Sequence, residues 1–261
     1  MELLLSIYKN QFLIFLLVLT RVSGLVTVAP LWSSRAIPVR VRALLATGIA
    51  MIITPLWWHT PVEDPGNVVH LAVLLVSEFA IGASLGLAVL ICFVGMELAG
   101  QLLGQMTGMR LANMASPEHN NTISVFSQFL RMLMLAVFVV AGGHEYLLHV
   151  FFRVFERMPP GQAHVSMPLV DALTKITSYS FVLGLQLAAP MIVAVLLSLL
   201  VMGLIGRTMP QFNVLAVGFG INSLVMVGAL LLSLGVMVRV FQFHGFRAID
   251  LIAPVLNTSS P

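Results

Sequence analysis

The sequence predicts an all-α integral membrane protein, and three observations carry that expectation. Hydrophobic residues make up 59% of the chain and charged residues 9%, against roughly 25% charged in an ordinary soluble domain. Mean hydropathy is +1.02. The apolar residues also gather into about six long segments, and a helix needs only ~20 such residues to cross the hydrocarbon of a bilayer. The same figures exclude a nucleic-acid-binding class. A net charge of +3 arises from basic residues scattered singly, with no Lys/Arg run to form a patch. The single cysteine, Cys92, lies within an apolar segment. It leaves no disulfide framework or thiol-rich metal site and reads as a small buried hydrophobe.

Residues 1–261 are read as one membrane domain. The first apolar segment covers about 11–32. Phe12 to Leu19 has the length of a signal-peptide core, and Thr27-Val28-Ala29 is similar to a cleavage site. Pro30 would follow the cut, however, and Arg21 interrupts the approach, so a retained helix is expected. The second segment is 41–58, the third 68–107, the fourth 123–141. The fifth is 169–206 and the sixth 214–243. Segments three and five are about twice a spanning length. Each must therefore bend, extend beyond the bilayer or fold as a hairpin, with Gly82 to Gly86 and Pro190 as candidate bend points. Between the fourth and fifth, His144 to Met158 places Leu147, Leu148, Phe151, Phe152 and Phe155 at helical spacing among Glu145, Arg153, Glu156 and Arg157. That pattern predicts an amphipathic helix lying on a surface or a partner.

Charge does not orient the chain. If all six segments span once, one side receives Arg35, Arg40, Arg42, Arg110 and Arg207, and the other Lys9, Arg153, Arg157, Lys175, Arg239 and Arg247. Orientation normally follows an excess of Lys and Arg on one side, and here there is none. A conventional six-span bundle is therefore not expected. Arg21, Glu78, Glu97, Arg131 and Arg207 fall inside or at the end of apolar segments, where charge is expensive. They are expected to be buried against protein or to face water, as ion pairs, partner contacts or an ion path.

Several motifs have ordinary explanations. Gly82-Ala83-Ser84-Leu85-Gly86 spells a hydrolase elbow, but that elbow needs an exposed strand-to-helix turn. Inside an apolar helix the same residues make a packing face. His144-Glu145 and His149 lack the four-residue histidine spacing of a zinc helix. Neither metal, cofactor nor catalytic residue is expected.

Two stretches are more specific. Gly100, Gly104 and Gly108 repeat every four residues, a face against which another helix backbone can pack closely. They lead into a polar connector, Met106 to Thr122, that carries Met109, Arg110, Asn113, Met114, Pro117 and Glu118. Methionine suits a surface that must seal and release. A polar connector between tightly packed helices is the expected working part. The second stretch is Arg207-Thr208-Met209-Pro210-Gln211-Phe212-Asn213. Pro210 must end the fifth segment, and Gln211 and Asn213 can satisfy the freed backbone groups, so a helical-hairpin corner is expected.

At this corner the chain resembles the FliR family, the R subunits of the flagellar type III secretion export gate. The likeness continues through Val217-Gly218-Phe219, Ala29-Pro30, the basic Pro38 to Arg42 stretch and Gly100 to Pro117, and covers essentially the whole chain. It implies a single R subunit within a helical, conical complex of P and Q subunits in the bacterial inner membrane, at the flagellar basal body. It also implies hairpins displaced outward from the plain bilayer, B and A subunits as further partners, and unfolded flagellar proteins as substrates. The internal loop matching Met106 to Thr122 would plug the closed pore. Arg207, Pro210, Gln211 and Asn213 would hold the fold or contact a P subunit.

The alternative from the residues alone is a stand-alone secondary transporter with Glu78 and Glu97 as coupling carboxylates. Nineteen residues of straight helix separate them by ~28 Å, too far for one midplane site, and no internal repeat accompanies them.

Overall fold

The computed structural model describes residues 2–34, 37–62, 65–106, 125–164, 166–209 and 214–257. Seven α-helices carry them: α1 Glu2–Val28, α2 Val39–Ile53, α3 Val68–Met106, α4 Val125–Val140, α5 Gly143–Arg157, α6 Met167–Thr208 and α7 Val214–Asn257. One turn of 3-10 helix, Thr54–Trp57, prolongs α2. No strand occurs among the described residues, and the architecture is that of an all-α membrane protein. Five helices are long and apolar enough to cross a membrane, or six if α4 and α5 count as one broken span.

Local chemistry explains the boundaries. Pro38 caps α2, and the Arg42 guanidinium donates to the carbonyls of Ser34 and Ile37 ahead of it, at 3.0–3.2 Å. Between α4 and α5 the chain turns through Gly142, at φ 73°, a left-handed conformation that glycine adopts without steric cost. Hydroxyls inside the apolar helices bond back to the preceding turn: Thr20 to Leu16, Thr47 to Ala43 and Ser77 to Val73. That habit removes the cost of carrying them into an apolar setting.

The expected helices form, with differences: α1 already begins at Glu2, nine residues before the expected start at 11, and ends at Val28. Segments three and five run as the unbroken helices α3 and α6, so neither folds into a hairpin within itself. Pro190 sits inside α6 without ending it, as proline can in long apolar helices where neighbouring groups re-satisfy the freed carbonyl. The last helix continues fourteen residues beyond the expected end at 243. Its extension is amphipathic rather than apolar, burying Ala248, Ile249 and Ile252 while Arg247 and Asp250 stay exposed.

The chain divides into two compact units. The first comprises Met1–Ile91, Gly142–Thr177 and Gly245–Pro261, the second Cys92–Ala141 and Ser178–His244. In the first, α1 packs on α2 and on the start of α3, and α5 inserts Leu147, Val150, Phe151, Val154 and Phe155 into the core. In the second, Phe93 of α3 meets Phe138 of α4 and Phe241 of α7 edge-on, with ring centroids 5.8 and 5.5 Å away.

Candidate functional site

The best-defined polar site lies in the first unit, where α1 and α3 cross. Gly24 of α1 lies against the backbone of Phe79 and Ala83, while Gly82 and Gly86 of α3 lie against Arg21 and Leu25 of α1 and Ala29 just beyond its end. The missing side chains let the two backbones touch, as small residues do at close helix crossings. Ser84, within the elbow-like motif, is buried and donates to the Ile81 carbonyl at 2.7 Å. The pattern is a packing face.

This close crossing brings Arg21 and Glu78 together. Arg21 Nε donates to Glu78 Oε2 at 2.5 Å, and both side chains are fully buried. Arg21 Nη1 donates to the Met158 carbonyl at 2.8 Å, and the Gly161 backbone N–H donates to Glu78 Oε1 at 2.7 Å. The guanidinium carbon lies 4.3 Å from the centre of the Phe155 ring, a cation–π contact that strengthens where water is excluded. Nη2 alone is buried without a protein acceptor. Thus one ion pair ties α1, α3, α5 and the Met158–Gly161 turn. A buried pair of this kind repays its desolvation only when its remaining hydrogen-bonding capacity is also satisfied.

Non-helical backbone covers the same stretch of α1. Asn10 Nδ2 donates to the Thr60 carbonyl at 3.4 Å. Gly161, at φ 91°, lies against Leu17 and against Val62 of the α2–α3 connector. Pro61, Gln162 and His164 are exposed there.

In the second unit, Gly100 of α3 abuts Ser127 of α4, whose hydroxyl donates to the Glu97 carbonyl at 3.0 Å. Gly95 crosses α6 at Ser180 and Gly184 in the same close manner. Gly104 is buried and Met106, the last residue of α3, is half-buried. Burial does not extend to the other two intrasegment charges. Arg131 Nη1 lies 3.8 Å from Glu97 Oε2 with side-chain exposures of 49% and 24%. Arg207 is exposed at the end of α6. Gly108, Met109, Arg110, Asn113, Met114, Pro117 and Glu118 lie outside the described residues, as do Pro210, Gln211 and Asn213.

The geometry therefore brings Arg21 to Glu78 and keeps Glu97 with Arg131 in the other unit. Sequence reasoning singled out each charge and placed Phe155 on an amphipathic helix face, but did not join it, Met158 or Gly161 to the charges; the Pro159-Pro160-Gly161 turn is the local signal for the last two.

Comparison with known proteins decides the family. A model described as bacterial export proteins, family 1, matches residues 12–246. The chain belongs to this family. Among curated proteins it is similar to the flagellar biosynthetic protein FliR of Escherichia coli, at 30% identity over 92% of this chain and 91% of that protein. The Aquifex aeolicus protein of the same name is 28% identical over 92% of each chain. The Bacillus subtilis one is 25% identical over 78% of this chain and 79% of that protein. The match to the export family runs through the whole Arg21–Glu78 site and both units.

Proposed function

We propose that this chain is a pore-forming structural subunit of the flagellar protein export gate in the bacterial inner membrane, needed for export of unfolded flagellar proteins and for flagellum assembly. The observation that carries the reading is the family match over residues 12–246, together with likeness to flagellar biosynthetic proteins along nearly the whole chain. In it, P and Q subunits surround this chain, B and A subunits meet it on the cytoplasmic side, and residues 106–122 plug the closed pore. The corner carrying Arg207, Pro210, Gln211 and Asn213 contacts a P subunit. No catalytic step is assigned.

Two features support membership of an assembly over an isolated bundle. Only 28% of the candidate spans in α6 and in α7 is buried within the chain, against 67% in α3, which leaves long apolar faces to be covered. Non-helical backbone with exposed polar residues lies beside the middle of α1, itself a candidate span. Hydrocarbon accepts such backbone only where protein or water covers it. The transporter reading gains nothing from the structure, since both oxygens of Glu78 are committed to Arg21 and Gly161.

The test is co-expression with P and Q subunits, followed by native mass spectrometry in mild detergent. One large complex containing a single copy of this chain is expected; a monomer or dimer indifferent to those subunits overturns the assignment. Deleting residues 110–118 should then leave assembly intact and make the reconstituted complex leak ions. Unchanged conductance in an assembled deletion variant would remove the plug.

A further inference from the structure

We propose that Asn222 and Ser198 form the register lock of the α6–α7 hairpin, fixing which residues of the two helices stand side by side. Ser198 Oγ donates to Asn222 Oδ1 at 2.7 Å, and both residues are buried. One turn nearer the corner, Gly218 faces Met202, whose Cε lies 3.7 Å from where a Gly218 side chain would begin. Ser198 and Asn222 stand twelve residues either side of Pro210, and Met202 and Gly218 eight residues either side. Two independent contacts therefore define one antiparallel register, with its midpoint in sequence at position 210. That register sets which residues of α6 and α7 stand side by side as the two helices approach the corner.

Near the corner the two helices are mostly apolar, and Gly203 and Gly220 have open space around them. A slip of one turn still sets leucine and valine against leucine and valine, so burial of apolar area alone discriminates poorly between registers. Asn222 does not tolerate such a slide. A slip of one turn either way sets it opposite Ala194 or Met202, where the amide finds nothing better than a weakly accepting thioether. An unpaired amide among apolar side chains is heavily penalised, and a single buried asparagine fixes register in paired helices for this reason. The nearest alternative partners on α6 in either direction, Arg207 and Gln186, are nine and twelve residues from Ser198. Asn222 thus acts as a positioning residue for the corner. The inference is independent of the export-gate reading.

The test uses the full chain in membranes, with Cys92→Ala as background and two reporter pairs. Met202→Cys with Gly218→Cys reports the observed register; Gly206→Cys with Gly218→Cys reports a slip of one turn. A short bis-methanethiosulfonate bridges facing thiols, and intact mass distinguishes one bridge from two single adducts. The observed-register pair should bridge and the slipped pair should not. Adding Asn222→Leu should shift the ratio of the two yields toward the slipped pair by at least about threefold, the effect of an ordinary interhelical hydrogen bond in a membrane. Exchanging the residues, Ser198→Asn with Asn222→Ser, should restore the original ratio. An unchanged ratio in Asn222→Leu overturns the proposal. If that variant does not accumulate, the exchange variant decides, and its failure to bridge the observed-register pair overturns the proposal equally.

Discussion

Arg21 of α1 and Glu78 of α3 meet at 2.5 Å with both side chains wholly enclosed, and each also holds the turn that follows α5. The pair is thus the point at which three separate stretches of the first unit are joined. Its value lies in mutual satisfaction more than in attraction: removing one charge strands the other in a place without water.

That asymmetry makes a prediction. Arg21→Met or Glu78→Leu alone should destabilise the chain by ~3–5 kcal/mol, the usual cost of leaving one buried charge unpaired. The double variant should recover much of that loss, because an apolar pair of similar volume replaces a buried ion pair at little net cost. A deficit of about 1–3 kcal/mol should remain, from the stranded Met158 carbonyl and Gly161 N–H. Denaturant unfolding of all four proteins in detergent measures the cycle. A double variant as unstable as the two losses added would show that the residues do not act as a pair.

The turn itself can be probed without touching a charge. Gly161 and Gly142 both have positive φ, 91° and 73°, but a side chain at Gly161 would press on Val62 at 3.1 Å while one at Gly142 would meet nothing nearer than 3.9 Å. Gly142→Ala should cost only the left-handed strain, ~1–2 kcal/mol. Gly161→Ala should cost more, since displacing the turn also lengthens its bond to Glu78. Thermal unfolding in detergent ranks the two, and an equal loss would mean that the turn yields freely.

The helices were largely legible in the sequence because long apolar runs leave few alternatives, and Pro38, Gly142 and the Pro159-Pro160-Gly161 turn punctuate them. The C-terminal part of α7 was not, since its amphipathic extension, with Arg247 and Asp250, ends the apolar run without ending the helix. Arg21 and Glu78 each stood out as costly, but 57 residues separate them, and pairing at that separation leaves no periodic trace. The Asn222–Ser198 bond was missed for the same reason. For Arg131 the sequence leaves open whether it faces protein or water, because on an amphipathic helix the neighbours in sequence are not the neighbours in space.

Glycines that look alike in sequence should respond in opposite ways. A side chain at Gly82 would overlap the Arg21 carbonyl of α1, whereas one at Gly48 of α2 would meet nothing within 4 Å. Gly82→Ala must push α1 and α3 apart one turn from the buried ion pair, and should prevent accumulation or lower stability severely. Gly48→Ala should be neutral or stabilising by up to ~1 kcal/mol, the gain in helix propensity. Expression and melting temperature in detergent read both. A well-tolerated Gly82→Ala would rule out the close crossing.

The second ion pair should behave unlike the first. Arg131 and Glu97 stand 3.8 Å apart and remain partly open, at 49% and 24% exposure, so removing either charge does not leave the other sealed inside the chain, and in detergent solution a pair this open is weak. Arg131→Ala and Glu97→Ala should each cost little in the isolated chain, with a coupling energy below ~1 kcal/mol that fades as salt rises. What holds α3 to α4 here is the backbone contact of Gly100 with Ser127 and the Ser127 hydroxyl on the Glu97 carbonyl, and that carbonyl survives the loss of the side chain. Ser127 is fully buried, so Ser127→Val must both fit a larger group against Gly100 and forgo the hydrogen bond. It should cost more than either charge deletion. A double-mutant cycle at two salt concentrations, run beside Ser127→Val, separates the two contributions. A large, salt-insensitive coupling would place the Arg131–Glu97 pair in a far drier setting than its exposure implies.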